Sequence, residues 1–262
     1  MIGEPPDEMI HPLQYGRSEN TDMILRFLFR SLIQTDSENL TYQADIAQCD
    51  LSNPQQIECQ IDPTALWSDG SRIRLEDVIE TYQALKNQPP NARIAGLLDS
   101  LIISGTGDTV RFQSSEKNPL IYELLTYPMA RSDMVNLIET NRLMIENYIT
   151  SGPYMLSSTE FDQTYGFHKI ILTRDTTNGK KVFIERYLFK FFKDAEQLER
   201  NKDTLGLILP YPGIAKLLES TPRFLSVPHR SYEYVGAFFH TDHISTDLRQ
   251  LFSLTIGSSL SG

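Results

Sequence analysis

The chain has 262 residues, of which 40% are hydrophobic and 22% charged, which is enough apolar material for a substantial folded core. Its formal net charge of -10 argues against a nucleic-acid-binding protein, because such proteins need clustered lysines and arginines. No stretch is long and apolar enough to span a bilayer, and the first six residues have neither the basic start nor the apolar segment of a signal peptide.

The N-terminal part is predicted to contain an extended segment and then a helix. Ile2 to Leu13 is rich in proline and is predicted to be extended. The following helix is predicted from apolar residues at helical spacing, with Thr21 or Asp22 as its N-cap. These apolar positions are Ile24, Leu25, Leu28, Leu32 and Ile33.

Two cysteines lie symmetrically about a predicted turn at residues 53–56. Ile57 to Ile61 alternates as a strand does, and in a hairpin centred on that turn Cys49 and Cys59 would lie opposite each other, near disulfide distance. A disulfide would indicate an oxidising compartment. The alternative, two unrelated small hydrophobic residues, stays open at this point.

The middle of the chain combines helices with a hairpin. The run from Trp67 to Gly70 is a turn signal, and the apolar spacing from Leu75 to Leu85 predicts a helix that ends in the stretch Asn87 to Asn91. A hairpin is predicted around Gly105 to Asp108. Two further helices are predicted over Leu120 to Tyr127 and Asp133 to Ile145.

From Ser151 onwards the pattern predicts strands. The clearest are Phe167 to Thr173 and Phe183 to Phe192, and the alternating aromatic residues of the second predict a buried sheet face. Asp194 to Gln197 has the spacing of a capping box, so a helix should follow. A strand over Tyr232 to Phe239, a helix from Thr246 to Ile256 and a flexible end complete a mixed α/β or α+β chain. The alternating aromatic residues are Phe183, Tyr187, Phe189 and Phe191.

Residue patterns typical of catalysis are missing from the sequence. It has no glycine-rich phosphate loop, no nucleophile elbow and no catalytic cysteine signature. His240 and His243 are the only neighbouring histidines, and no third metal ligand is apparent beside them. The sequence therefore predicts no catalytic residues, no metal and no cofactor.

The run from Trp67 to Val78, WSDGSRIRLEDV, carries the strongest motif of the chain. It resembles the WSDGTPLTAEDV signature of the oligopeptide-, dipeptide- and nickel-binding receptors, family 5 of the extracytoplasmic solute-binding proteins of ABC importers. Arg74 stands where that family has a capping threonine. The loss of the hydroxyl should cost about 1 kcal/mol unless Ser71 substitutes for it.

Further segments resemble the same family in the same order. The opening is similar to GEPPDTLNP with His11 in place of the asparagine, and the segment at Leu172 is similar to LxRN with Asp175 in place of the asparagine and without the family's Tyr-Trp beyond it. The segment at Leu198 lacks the family's Gly-Glu. The segments are Gly3 to Leu13, Asp22 to Leu32, Thr150 to Tyr154, Leu172 to Asp175, Leu198 to Leu207, Phe238 to His240 and Asp247 to Phe252.

The resemblance implies a periplasmic-binding-protein-like architecture, in which two lobes joined by a hinge close on a ligand. Residues 1–48 and 150–232 would form the main lobe, and residues 49–149 an inserted extra subdomain. Residues 233–262 would form a hinge strand and the start of a second lobe, most of which would lie outside the chain.

The resemblance also implies a function. The chain would be the substrate-binding component of an ABC importer, not an enzyme, and would capture peptides or similar small solutes for a membrane permease. It would act in the periplasm or on the outer face of the cytoplasmic membrane, where a lipid could anchor the full-length form. The alternative is a truncated half-receptor that serves as an interaction or sensing module without transport.

Ligand contacts are expected from two places. The loop after the first strand offers Gln14 and Tyr15, and the hinge strand offers Tyr234, Phe239 and His240. Ordinary packing or exposure is the alternative for each residue. No metal ligands and no cofactor are implied.

Overall fold

In the computed structural model of the chain, the described residues are 10–36, 41–135, 148–162, 166–177, 182–192 and 194–201. All of them belong to the first of two units, Met1–Ala215. The predicted strand over Tyr232 to Phe239, the predicted helix over Thr246 to Ile256 and the pair His240 and His243 lie outside the described residues. Helices and antiparallel sheets alternate along the described part, which confirms the mixed fold class.

The N-terminal segment begins with a short 3-10 helix, Pro12–Gln14, where the sequence predicted extended chain. Helix α1 follows at Glu19–Leu28. Its N-cap is Ser18, whose hydroxyl accepts a hydrogen bond from the Thr21 backbone N–H at 3.2 Å, so the predicted caps Thr21 and Asp22 were wrong.

The helical spacing of apolar residues extends past the end of α1. Leu32 and Ile33 are fully buried, but Ile33 begins strand β1, Ile33–Asp36, which pairs antiparallel with β2, Thr41–Ala44. The predicted helix was therefore too long. A strand can bury the same two side chains in the same core, and spacing alone does not distinguish these outcomes.

A four-stranded antiparallel sheet has the order β3-β4-β6-β5. Its strands are β3 Ala47–Cys49, β4 Gln56–Ile61, β5 Leu101–Thr106 and β6 Thr109–Ser114. Cys49 pairs in register with Cys59, and the two form a disulfide with Cα atoms 4.0 Å apart. The strand predicted after residues 53–56 and the hairpin predicted at Gly105 to Asp108 are both confirmed, and Gly107 supplies a positive φ of 58° at the hairpin turn.

Helix α2, Leu75–Asn87, starts from the predicted turn, in which the Gly70 N–H donates to the Trp67 carbonyl. Asp77, in the first turn of α2, is almost fully buried. Its carboxylate accepts hydrogen bonds from Arg74 N at 2.9 Å, Trp67 Nε1 at 3.2 Å and Ser132 N at 2.9 Å. Asp77 thus satisfies the N-cap N–H at Arg74, joins the Trp67 ring to the helix and holds the start of a later helix.

Ser71 does not replace the missing capping hydroxyl, contrary to the suggestion from the sequence. Its Oγ donates instead to Asp69 Oδ1 at 2.6 Å. Helix α3, Ala92–Ser100, was missed, because Asn91 was interpreted as part of a terminating loop. Asn91 is the N-cap of α3, and its side chain accepts from the Ile94 N–H at 3.0 Å.

Two shorter helices follow, α4 at Leu120–Leu125 and α5 at Ser132–Val135. The remainder of the helix predicted to reach Ile145 lies outside the described residues. The apolar sides of α2, α3 and α4 and the inner face of the four-stranded sheet share one buried core. Its largest side chains are Trp67, Tyr82 and Phe112, and burial of an aromatic side chain of this kind contributes about 1.5–3 kcal/mol.

The last described part is a three-stranded antiparallel sheet with the order β7-β8-β9. Its strands are β7 Tyr154–Asp162, β8 Gly166–Arg174 and β9 Arg186–Lys190, and α6, Ala195–Asn201, follows with the predicted cap Asp194 accepting from Gln197 N at 2.8 Å. The predicted aromatic face holds only in part. Tyr187 and Phe189 pack on Phe27, but Phe183 precedes β9 and is fully exposed, so its assignment to the core was wrong.

The chain enters β7 through a close contact with the end of α1. Ser151 N and Gly152 N both donate to the Leu28 carbonyl, at 3.1 and 2.7 Å. A Cβ on Gly152 would lie 2.4 Å from the Phe27 carbonyl oxygen, so only glycine fits this position without a shift of the backbone. Ser68 and Thr150 exchange hydrogen bonds beside this contact, which fixes the turn before α2 to the same point.

The predicted division into lobes stays a prediction. Strand β3 spans the expected boundary between residues 48 and 49, and the segment expected to return to the main lobe at residue 150 begins at the contact just described. Among the described helices, none combines the length and apolarity that a membrane crossing requires.

Candidate functional site

The candidate site is built around the loop from His11 to Ser18, which carries the predicted ligand residues Gln14 and Tyr15. His11 fixes the start of this loop. Its ring is fully buried, and Nδ1 accepts from the Leu13 N–H at 3.2 Å. The proton of the neutral ring must then lie on Nε2, which donates to the Met134 carbonyl of α5 at 3.2 Å.

Burial lowers the pKa of His11 from its ordinary value of 6.5 to about 4, against a smaller raising effect of the hydrogen bond to Met134. The ring is therefore neutral at physiological pH. In this form Nδ1 fixes the start of the loop by accepting from Leu13 N, and Nε2 joins the loop to α5.

Tyr15 lies against two other segments. Its ring is buried and meets the ring of Tyr127 edge to face, with centroids 4.9 Å apart. Its hydroxyl accepts two hydrogen bonds from Arg26 of α1, from Nε at 3.1 Å and from Nη2 at 2.6 Å. Burial raises the pKa of Tyr15, and the Arg26 guanidinium partly offsets this.

Gly16 brings the loop close to the α2–α3 connection and to Tyr127. It has a φ of +85°, a backbone conformation that side-chain-bearing residues rarely adopt, and its N–H donates to Asp22 Oδ1 at 2.8 Å. A Cβ on Gly16 would lie 3.1 Å from the Tyr127 hydroxyl and 3.4 Å from Pro90 Cβ. Three segments therefore converge at Gly16: its own loop, the α2–α3 connection and the loop after α4.

The charges around this convergence are mixed. Glu123 of α4 pairs with Arg93 of α3 at 2.5 Å, and the side chain of Arg93 is more exposed than that of Glu123. Burial, and after it the Glu123 carboxylate, raises the pKa of Tyr127 well above its usual range, so its phenol is neutral at any physiological pH. Among the described residues no side chain forms a hydrogen bond with the Tyr127 hydroxyl.

The predicted site residues are distributed unevenly in the structure. Gln14 is half-buried at the end of the 3-10 helix, and Tyr15 is buried beside Tyr127. Tyr234, Phe239 and His240 lie outside the described residues, so their proposed role remains a prediction.

Sequence reasoning missed the other side of the convergence. Pro90 was interpreted only as part of a helix end, and Tyr127 only as the last residue of a helix. The single local signal was the Tyr127-Pro128 pair after α4, which marks a turn but does not show what it faces.

The arrangement is chemically suited to hydrogen bonding and to aromatic contact. It presents phenol and guanidinium groups and a tightly folded loop. Within the described ranges, no three residues among His, Cys, Asp and Glu lie close enough together to hold a metal ion.

Most of the chain is similar to one family of known proteins. Residues 46–243 match the model of one family, the bacterial extracellular solute-binding proteins, family 5 middle region. The match begins just before β3 and covers the described helices α2 to α6.

Individual proteins are similar over part of their length. A binding protein of Brucella melitensis is 27% identical over 201 residues, which are 73% of this chain and 31% of that protein. The structure of NikZ from Campylobacter jejuni in complex with Ni(L-His) superposes with a TM-score of 0.67 at 18% identity and covers 84% of this chain and 45% of its own. The structure of the murein tripeptide binding protein MppA of Escherichia coli superposes with a TM-score of 0.65 at 18% identity. The superposition covers 84% of this chain and 48% of MppA.

These similarities confirm the predicted periplasmic-binding-protein-like fold. The chain spans about a third of the Brucella relative and just under half of the solved structures.

Proposed function

Because the chain belongs to the bacterial extracellular solute-binding proteins of family 5, we propose that it is the solute-capturing part of an ABC importer. The observation that carries this proposal is the family match over residues 46–243. The solute would be a peptide or a similar small molecule. Relatives of known structure include one solved with Ni(L-His) and one named for a murein tripeptide, so peptides and metal chelates are the first solutes to test.

The convergence at Gly16 is the part of the described structure that we propose as a wall of the binding cleft. Tyr15 and Tyr127 are buried and pack edge to face beneath the exposed Gly16, so that they shape the wall from below. No described side chain bonds the Tyr127 hydroxyl, which can still donate a hydrogen bond. The positive φ of Gly16 and its bond to Asp22 hold the loop in one shape before a ligand arrives. Such preorganisation lowers the entropy lost on binding.

The remaining ligand contacts would come from the hinge. We propose that Tyr234, Phe239 and His240 complete the wall, that residues 1–48 and 150–232 form the main lobe, and that 49–149 form the inserted subdomain. Closure of two lobes would bury the solute between them, a common mode of domain motion around ligands.

The place of action would be outside the cytoplasmic membrane, with a membrane permease as the partner that receives the solute. The Cys49–Cys59 disulfide supports this, because disulfides persist in oxidising compartments. A lipid anchor remains part of the proposal for the full-length protein only.

The experiment is isothermal titration of two proteins, the chain itself and the protein translated from its complete gene. The solutes are pools of di- to pentapeptides, opines and nickel chelates. We expect at least one class to bind the complete protein at micromolar concentration or better. Flat titrations for every class would overturn the proposal.

A variant pair tests the site. Tyr127→Ala removes the wall residue whose hydroxyl bonds no described side chain, and we expect at least a tenfold loss of affinity. Tyr122→Ala is the control, because its hydroxyl bonds the Leu51 carbonyl and its ring packs on Tyr42, away from Gly16. Equal loss in both variants would show that Tyr127 acts through general stability and not as a wall of the cleft.

A further inference from the structure

Arg26 is an exposed guanidinium held in a defined orientation beside the candidate cleft wall. Nε and Nη2 both donate to the Tyr15 hydroxyl, and Cζ lies 5.6 Å from the centroid of the Tyr15 ring. Tyr15 is itself fixed by burial against Tyr127. The loop therefore orients the arginine, which would otherwise be a long, mobile side chain on the last turn of α1.

One edge of the guanidinium is left for another acceptor. The edge formed by Nε and Nη2 is occupied by a single phenol oxygen. The N–H groups of Nη1 and the second N–H of Nη2 form the opposite edge, which has the spacing that a carboxylate binds through both oxygens.

The chain does not supply that carboxylate within its described part. Asp22 lies four residues before Arg26, the spacing at which helical ion pairs usually form, but Asp22 Oδ1 accepts from Gly16 N instead. Among the described residues, no carboxylate lies within ion-pair distance of Arg26, whereas the neighbouring Arg93 is paired with Glu123. This is notable in a chain of net charge -10.

We propose that Arg26 is a specificity-determining residue that binds a carboxylate of the captured solute, so that the preferred solutes are anionic at the end that meets the Tyr15 loop. The proposal rests on the solute-binding function proposed above. The carboxylate is either the C-terminus of a peptide or an acidic side chain, since both offer the same pair of oxygens to the guanidinium.

A purely structural role for Arg26 predicts something different. The residue lies in the last turn of α1, where a positive charge favours the helix dipole, and it supports the Tyr15 hydroxyl. In that role, removal of the Arg26 side chain would weaken the binding of every solute to the same extent. If Arg26 determines specificity, its removal weakens the binding only of solutes that carry the carboxylate.

The experiment uses the protein translated from the complete gene and four tripeptides in two matched pairs. Ala-Ala-Ala with a free or an amidated C-terminus tests the terminal carboxylate, and Ala-Glu-Ala-amide against Ala-Gln-Ala-amide tests the side chain. We expect at least tenfold tighter binding of the acidic member in one pair. In Arg26→Gln the ratio of the two affinities within that pair should fall to within twofold, while the amidated or neutral member keeps its affinity.

Two further variants complete the test. Arg26→Lys keeps the charge but loses the planar fork, so we expect it to restore only part of the ratio. Arg93→Gln is the matched control, since it removes an exposed arginine that is already paired, and it should leave the ratio unchanged.

The outcomes separate the two proposals. Equal binding of acidic and neutral members, or a ratio that survives Arg26→Gln, would overturn the role of Arg26 and leave the solute-binding function standing. No binding of any tripeptide, opine or chelate would overturn the function and the inference with it. Thermal unfolding of each variant by circular dichroism checks that all are folded.

Discussion

Acidification should destabilise the protein through His11. The ring is neutral and fully buried, and both nitrogens are used, by Leu13 N and by the Met134 carbonyl. Protonation of Nδ1 would remove its acceptor and place a charge in an apolar site. The folded state therefore binds this proton only near pH 4, whereas the unfolded chain binds it near the ordinary pKa of 6.5.

The sign and size of the effect follow from this difference. Between pH 6.5 and 4 the unfolded state carries more protons, so the free energy of unfolding falls as the pH falls. His11 makes its full contribution to the free energy of unfolding above pH 6.5. Because one pKa unit corresponds to 1.36 kcal/mol, the loss should be about 2 kcal/mol at pH 5 and about 3 kcal/mol at pH 4.

The assay is urea unfolding followed by far-ultraviolet circular dichroism at pH 7.5, 6 and 5, with His11→Asn as the matched variant. Asparagine offers one acceptor and one donor to the same neighbours but does not titrate in this range. Carboxylates and the other histidines contribute equally to both proteins, so the difference between the two pH profiles isolates His11. Parallel profiles, in which both proteins lose the same free energy between pH 7.5 and 5, would refute the reasoning.

Three further changes should affect stability by different mechanisms, each measured by urea unfolding. Replacing both Cys49 and Cys59 with alanine should cost about 2–3 kcal/mol, from the entropy of the short loop that the disulfide closes; if reductant leaves the unfolding curve of the unmodified protein unchanged, this is wrong. Asp77→Asn should cost about 3 kcal/mol of stability, because the amide cannot accept from all three N–H donors at Arg74, Trp67 and Ser132. A cost below about 1 kcal/mol would count against the importance of these three bonds. Gly152→Ala should cost about 2–3 kcal/mol through its clash with Phe27, whereas Gly96→Ala in α3, where a Cβ meets nothing within 4 Å, should be neutral or slightly stabilising; similar effects of the two substitutions would contradict the steric argument.

Features that depend on a short stretch of chain were predictable from the sequence. The turn at Trp67 to Gly70 and the cap at Asp194 involve partners only a few residues apart, and the structure confirms both. The register of Cys49 with Cys59 follows from the position of one turn. In each case the interactions that decide the conformation are local, so the residue types along a short stretch are enough to predict it.

Features that depend on tertiary contact were not predictable in this way. Ile33 has the spacing of a helical residue but is buried from a strand, because the core accepts it from either geometry. The candidate site has the same origin. Gly16 and Tyr127 are distant in the chain and meet only because α1, α3 and α4 pack around one core, so a single sequence could suggest Tyr15 but not the residues facing it.

The chain contains one tryptophan, Trp67, and its indole is fully buried with Nε1 bonded to Asp77. This gives the protein an intrinsic optical probe at a single known position. Fluorescence excited at wavelengths where tyrosine does not absorb reports only on the turn before α2 and on its bond to Asp77, whereas circular dichroism sums over the helices and strands of the chain. Superimposable unfolding curves from the two signals would show that the β7–β9 sheet unfolds together with the disulfide-linked sheet. Separate midpoints would show that they unfold independently, and no engineered label is needed to decide this.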